Sequence, residues 1–536
     1  MPAGFDTVIK SGRIIDGTGN PWYAADVGIQ EGRITRIQKE IDPQFARRVI
    51  DAHGLTVCPG FIDAHSHDDV YLLRNPQCDD KILQGVTTDV IGNCGISVSP
   101  VSNEHSGEMT SFLAVMCGQQ VSTEALNIRT FGDYLRNLEA LKPGMNVLPL
   151  VGHSTIRIAV MGAANRAPFE NELKEMKVQV ACAMEEGAFG LSTGLIYAPG
   201  NYARTEEIVE LAKAAAQFHG IYTTHMRSEG DAEPAAIAEA LRIGQEAGIP
   251  VHISHHKVLG KENWGKSVDT LKMMAEARQR GIEVTCDQYP YRAGSTFLAA
   301  VLPPAVLAGG PDAFNVKLKD RSFRAQVVET IEKGSAPGWE NLIKGASFEG
   351  LVISVSRHDD YVGKSISDIA SMENKSPYDV IFDLVVEEGL GCIIILFMMN
   401  EADIIRIMRN IWTMIGSDGI PGFGVKKVHP RMSGTFPRIL GRYVREQNIL
   451  TIEEAIRKMT SLPAQTFDAR SKGLLKEGFD ADVVIFDPAT ILDQATYEEP
   501  NQGPVGIRYV LVNGEIAAQD GKVTGATSGK VLRHSK

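Results

Sequence analysis

A chain of 536 residues with 43% hydrophobic and 22% charged residues is a globular protein of one very large domain or a few ordinary ones, not a disordered or fibrous one. Its net charge of −12 argues against nucleic acid or an anionic membrane as the main partner, though a locally basic site for an anionic small molecule remains open. No basic start followed by an apolar core opens the sequence, no run approaches the ~20 apolar residues of a membrane span, and seven scattered cysteines lack CxxC spacing; together these predict a protein of the reducing cytoplasm.

Residues 1–57 hold short alternating runs such as "FDTVIKSGRIIDGTG" and "ADVGIQEGRITRIQ", divided by Gly-rich turns, and read as strands. From residue 58 to residue 467 the rhythm changes. Apolar runs ("GVTTDVIGNC", "NVLPLVG", "GAFGLSTGL", "GIYTTHMR", "IPVHISHHK", "IEVTCDQYPY", "TMIGSDG") alternate with amphipathic ones such as "NELKEMKVQVACAMEEG" and "AEPAAIAEALRIGQEAG", several ended by Gly. This alternation predicts an α/β protein with a parallel sheet, and its length fits a TIM-like (β/α)8 barrel. Residues 292–350 break the pattern with "LPPAVLAGGPDAF" and "EKGSAPGWENL", and read as an inserted cap or small subdomain. "GCIIILFMM" (Gly391–Met399) reads as a buried strand. Residues 468–536 return to short strands with Asn-Gly and Asp-Gly turns, so both chain ends are expected to build one small β-sandwich.

In a parallel α/β barrel the active site lies at the C-terminal strand ends. The first apolar run of the middle region ends in Asp63, His65 and His67. Residues two apart on an extended chain share a face, so both imidazoles can reach one centre. Alone, such a pair is more often a surface or hydrogen-bonded pair than a metal site. Four further strand ends carry Cys94, His225, His255 and Asp418, and these are the ligand types that suit zinc. His252 and His255 differ by three, so only one is expected to face the barrel mouth; His255 is preferred, with His252 and His256 as packing histidines. Cys58, Cys117, Cys182, Cys286 and Cys392 read as small buried hydrophobes. Asp418 has a plain alternative as a turn or helix-cap residue in "SDG".

Taken together, "GFIDAHSH", "GVTTDVIGNCG", "GAFGLSTGLIYAPG", "TTHMRSEG", "ISHHKVLG", "YPYRAGST" and "TMIGSDG…HPRMSGTFPR" resemble the amidohydrolase superfamily and, within it, the D-aminoacylases over essentially the whole length. The resemblance implies a tightly bound zinc on Cys94, His225 and His255. It implies a second position lined by His65, His67 and Asp418, weakly filled or empty. It makes Asp418 the catalytic acid/base, and gives the substrate carboxylate to Tyr289, Ser295 and Arg431. The implied activity is hydrolysis of N-acyl-D-amino acids, small-molecule substrates. One departure separates the chain from hydantoinases and dihydroorotases, the alternative reading: the strand-four end "AFGLSTG" has Ser192 and Thr193 and no bridging lysine. The apolar run Thr296–Pro304 is a candidate side-chain pocket or a subdomain core, and Arg292 a candidate for an acidic side chain.

Overall fold

The structure is a computed structural model that describes residues 4–116, 118, 121–122, 127–334, 338–421 and 427–534. Cys117 lies outside the described residues.

Eight short parallel strands organise the middle of the chain. They are β1 (Phe61–Asp63), β2 (Val86–Ile91), β3 (Asn146–Pro149, continued after Leu150 as Val151–Gly152), β4 (Gly190–Gly194), β5 (Ile221–His225), β6 (Val251–Ile253), β7 (Val284–Gln288) and β8 (Thr413–Ile415). Each pairs in parallel with the next. The last returns to the first: Ala64 N–H donates to the Ile415 carbonyl at 3.3 Å, Asp418 N–H donates to the His65 carbonyl at 2.7 Å, and Ser66 bridges Gly419 in parallel. Nearly every strand residue is buried, as strands covered on both faces require. Helices follow several strands. Glu170–Glu186, Thr205–Ala216, Glu233–Ala247 and Ser267–Gln279 occupy the amphipathic runs, and the first and third end on Gly187 and Gly248 in left-handed conformation.

The two chain ends meet in one sheet. Thr56–Pro59 pairs antiparallel with Val483–Phe486, so that five N-terminal and four C-terminal strands form a single nine-stranded sheet. The two chain ends are thus joined in one continuous hydrogen-bonded sheet, because a strand from each end pairs edge to edge. Ile9, Ile14, Val27, Ile29, Val483, Ile485 and Leu511 share its inner core. Asn513-Gly514 and Asp520-Gly521 make its tight turns, all four with positive φ as the right-handed twist of a two-residue hairpin demands.

Between β7 and β8 the chain leaves the ring and builds a second, antiparallel sheet from Ala293–Phe297, Leu351–Val355 and Ile393–Phe397, with the last strand in the middle. The sequence ends this insertion near residue 350, and the structure carries it to Phe397. "IIILF" is indeed a strand, mostly buried, but it belongs to this inserted sheet. Phe297, Leu298, Val301 and Leu302 pack into the main core. Among the described residues no helix is long and apolar enough to cross a membrane.

Candidate active site

All six candidate ligands converge at the C-terminal ends of the ring strands, and none is more than 6% exposed. Cys94 Sγ lies 3.3 Å from His65 Nε2, 3.3 Å from His255 Nε2 and 3.8 Å from His225 Nδ1. Asp418 Oδ1 lies 3.3 Å from His67 Nε2 and 3.6 Å from His65 Nε2. His65 therefore sits between two groups, one around the thiol and one around the carboxylate, and is nearer the thiol than His225 is. Donor atoms within 4.8 Å of one another define the sets His65/Cys94/His255, His65/His67/Asp418 and His225/Glu229/His255. Buried nitrogens His67 Nδ1 and His225 Nε2 have no hydrogen-bond partner.

The local backbone is held in uncommon conformations to achieve this. Cys94 (φ 53°), His255 (φ 36°) and Asp418 (φ 51°) lie in the left-handed region, which costs a non-glycine residue on the order of 1 kcal/mol or more. The turn at Cys94 is fixed from β4. Ser192 Oγ donates to the Gly92 carbonyl and accepts the Gly95 N–H at 3.0 Å. Gly194 leaves room for the turn, since a Cβ there would lie 2.2 Å from the Cys94 carbonyl oxygen. Ser192 is thus a strap for the thiol loop, while Thr193 Oγ1 bonds Tyr222 and Thr224.

A left-handed turn also sets the direction of His255. Strand β6 ends at Ile253, and the chain turns before His255. The His255 ring joins the cluster, whereas His252 lies outside the three donor sets, with Nε2 2.8 Å from Asp287 Oδ2; the His255 backbone N–H donates to Oδ1 of the same residue at 3.0 Å. His256 does face away, 3.1 Å from Thr270 Oγ1 on the helix Ser267–Gln279. Asp63, at the end of β1, turns from the cluster toward Lys81 (2.5 Å) and the Ser417 N–H (2.7 Å). Cys182 is exposed on its helix, contrary to its reading as a buried hydrophobe, whereas Cys58, Cys286 and Cys392 are buried.

Burial pushes the Cys94 thiol well above its ordinary range, and the carboxylates of Asp418, Glu229 and Asp287 add to the effect. A bound cation is what would make it a thiolate. Burial lowers His225 and His255 well below the usual imidazole range, leaving them neutral with a lone pair to offer. Burial opposes ionisation of Asp418, but the Arg431 guanidinium above all, with the hydrogen bond from His67, outweighs it and holds the carboxyl well below the ordinary range. Asp418 is therefore ionised, and its carboxylate faces Arg431 and His67 instead of capping a helix.

The three residues expected at the substrate carboxylate gather around Asp418. Arg431 is fully buried at the start of the helix Arg431–Arg438, with Nη1 2.9 Å from Asp418 Oδ2. Its Nη2 donates to the Ser295 carbonyl at 3.3 Å, and its guanidinium lies over the Tyr289 ring at 4.7 Å. Ser295 thus meets Arg431 through its backbone. Sequence reading passed over three neighbours, Glu229, Asp287 and Tyr197; Lys257, just after the paired histidines, it sets aside as a bridging metal ligand. Tyr197 packs edge-on against His225 at 4.7 Å, and Lys257 Nζ donates to Glu229 Oε1 at 2.6 Å.

The cluster opens into a cavity bordered by His67, Cys94, His255 and Asp418, with Ile96, Val115, Met116, Phe297 and Ile420 as its apolar walls. A much larger cavity lies elsewhere among the described residues. It is walled by Trp264, Arg292, Trp339 and Glu340, among others, and contains none of the six ligands. The chemistry belongs to the smaller one. Arg292 is exposed and faces the larger.

A buried group of thiol, imidazole and carboxylate donors at strand ends of a parallel α/β ring defines a class, the metal-dependent hydrolases of this fold. The model of the amidohydrolase family matches residues 48–303 and 402–518, and the chain belongs to that family. Within it the chain is similar to D-aminoacylase of Alcaligenes xylosoxydans xylosoxydans, at 39% identity over 98% of this chain and 97% of that one. N-acyl-D-aspartate deacylase of the same organism is 37% identical, over 99% of this chain and 95% of the relative. A solved N-acyl-D-glutamate deacylase from Bordetella bronchiseptica, complexed with zinc and a phosphonate inhibitor, superposes with a TM-score of 0.83 at 36% identity, covering 99% of both chains. The gap between β7 and β8 is where the family match breaks, so the inserted sheet lies largely outside it.

Proposed function

We propose that this enzyme hydrolyses the amide bond of N-acyl-D-amino acids to a carboxylate and a free D-amino acid, with zinc as cofactor and Asp418 as the proton-transferring residue. The observation that carries this reading is the buried cluster of Cys94, His65, His67, His225, His255 and Asp418 beside a buried arginine. The eight-strand ring, residues 58–467, is read as a (β/α)8 barrel. Residues 1–57 and 468–536 are read as its β domain, and the segment from 292 to about 397 as the insertion walling the site.

The donor set suits zinc, a borderline-soft ion that accepts thiolate, imidazole and carboxylate. Cys94, His225 and His255 would hold the tight ion, and His65, His67 and Asp418 the second position. When bound, zinc supplies Lewis acidity toward a carbonyl and brings the pKa of water toward ~7. The residues of the chain do the rest. Asp418 Oδ1, ionised and aimed at His67 and His65, accepts a proton from the attacking water and returns it to the leaving nitrogen. Arg431 has the two-pronged geometry to take the substrate α-carboxylate, with Tyr289 and Ser295 at its sides. With the carboxylate and scissile carbonyl both fixed, the Cα substituent has one direction open to it, which makes the site selective for one hand.

The relatives named for D-glutamate and D-aspartate derivatives are nearly as similar in sequence as the D-aminoacylase, so identity does not choose a side chain. The apolar walls favour a hydrophobic one. Among the described residues no lysine or arginine lines the cavity, and burying an unpaired carboxylate there costs several kcal/mol. A panel of N-acetyl-D-amino acids with their L-enantiomers tests this. Leucine, methionine or phenylalanine is expected to exceed glutamate and aspartate in kcat/KM by ~100-fold or more, equivalent to about 3 kcal/mol. Preferred turnover of D-glutamate or D-aspartate derivatives would reverse the side-chain assignment.

A further inference from the structure

The catalytic cavity is tight. It leaves about 30 Å³ for the centres of water-sized molecules, on the order of two or three waters. An N-acyl amino acid is many times larger, so binding one requires a wall with space behind it. Among the described residues Phe297 alone borders both this cavity and a second one. The second is apolar: Phe112, Ile158, Leu307, Phe314 and Leu390 line it. The polar groups at its edge have partners. Glu108 accepts the Ala163 N–H at 2.5 Å and lies 3.1 Å from His105 Nδ1, and the Tyr202 hydroxyl donates to the Pro304 carbonyl at 3.0 Å. A pocket so lined favours hydrocarbon over a polar group. Tyr202 in turn separates it from a wider outer cavity of about 450 Å³, walled in part by Pro303, Val306, Phe323 and Val327.

Phe297 stands at the metal end of the site. Within the strand Ala293–Phe297, Ser295 meets Arg431 through its carbonyl. Thr296 Oγ1 donates to the Tyr197 hydroxyl at 3.1 Å, and the Phe297 ring lies 5.2 Å from the Tyr197 ring. Tyr197 packs on His225, one of the candidate ligands. A substrate held with its carboxylate on Arg431 and its scissile carbonyl at the metal site therefore turns its acyl chain toward Phe297, because that chain hangs from the carbonyl carbon on the side away from the amino acid. An amino-acid side chain ends a few bonds from Cα, whereas an acyl chain can run on through the second pocket and toward Tyr202.

We propose that Phe297 sets the length of acyl group the enzyme accepts: short acyl groups stop at its ring, and the apolar pocket behind it is the site that a longer chain enters once the ring is displaced or removed. The proposal rests on the reading of the chain as an N-acyl-D-amino-acid hydrolase.

The test is kcat/KM for N-acetyl-, N-butanoyl- and N-hexanoyl-D-leucine on the zinc-loaded full chain. The parent is expected to lose ~10-fold or more from acetyl to hexanoyl, as overpacking against the ring requires. Each methylene that gains burial is worth about fourfold, so Phe297→Ala is expected to raise the hexanoyl-to-acetyl ratio by ~10-fold or more. Adding Ala163→Leu, which refills the second pocket from another of its walls, is expected to bring the ratio back toward the parental one. A ratio that Phe297→Ala leaves within twofold of the parent overturns the proposal. So does a parent that hydrolyses the hexanoyl substrate as well as the acetyl one, or a gain in Phe297→Ala that goes instead to bulkier side chains at fixed acetyl. Should Phe297→Ala not fold, Phe297→Leu carries the same test with a smaller gain, and a parental ratio there is equally fatal. A parent that hydrolyses N-acetyl-D-leucine while the ratio ignores Phe297 refutes this proposal alone. A parent that hydrolyses none of the series refutes the functional reading and this proposal with it.

Discussion

Asp418→Asn is expected to lower kcat by ~10³-fold or more while zinc remains bound. Asn has nearly the same shape and still hydrogen-bonds, but it has no basic oxygen to take a proton from water and no acid form to protonate the leaving amine. Both halves of the reaction lose their proton carrier. The tight ion is expected to stay because Cys94, His225 and His255 do not need the carboxylate. Arg431 loses the partner that Asp418 provides at 2.9 Å, so substrate binding is expected to hold steady or tighten as the guanidinium becomes free for the substrate. The check is kcat and KM for one N-acetyl-D-amino acid, with zinc quantified in the same preparation. A kcat within tenfold of the parent removes Asp418 from the proton path.

Cys94→Ala is expected to abolish tight zinc binding and, with it, turnover. The thiolate is the only anionic donor among the three tight ligands, and every other member of that set is a neutral imidazole. Losing one of a few ligands that share a binding energy of ~10–16 kcal/mol removes ~3 kcal/mol or more, ~100-fold in affinity. The fold is expected to survive. Alanine is smaller than cysteine, and the turn is held by Ser192 and Gly194, not by the thiol. The measurement is the zinc content of the purified variant beside its melting temperature and its turnover of an N-acetyl-D-amino acid. Stoichiometric zinc in Cys94→Ala would move the tight site to His65, His67 and Asp418.

Much of the site could be read from the chain because each ligand closes a short apolar run, and parallel strands deliver their C-terminal ends to one face. Cys94, His225, His255 and Asp418 are visible for that reason alone. Asp287 was passed over although it left a signal: a carboxylate inside "VTCDQ", a run otherwise buried on both faces, needs a partner, and it has His65, His252 and the His255 N–H. Glu229 carried a fainter one. In "RSEGD" it reads as an ordinary loop acid, and its ion pairs with His255 and Lys257 appear only when the loop after β6 is brought against it. That strand β6 is only three residues long and that His255 follows it in a left-handed turn is not legible in the sequence.

The insertion was half legible. Its start at Arg292 is marked by a broken rhythm. Its end is not, because the strand Ile393–Phe397 pairs with Ala293–Phe297 across nearly the whole insertion, and such non-local pairing writes no local motif. The same holds for the terminal sheet. Two strand-rich ends are visible in the sequence, but the pairing of Thr56–Pro59 with Val483–Phe486 that makes them one sheet is not.

Turnover as a function of zinc added to the metal-free chain, followed in parallel on an N-acetyl-D-amino acid and its L-enantiomer, bears most directly on a zinc-dependent, D-selective amide hydrolase. The expected result is that hydrolysis of the D-enantiomer rises linearly and levels at one zinc per chain, with no turnover of the L-enantiomer at any point. Activity that needs two ions per chain, that is independent of zinc, or that is equal for the two enantiomers would contradict it.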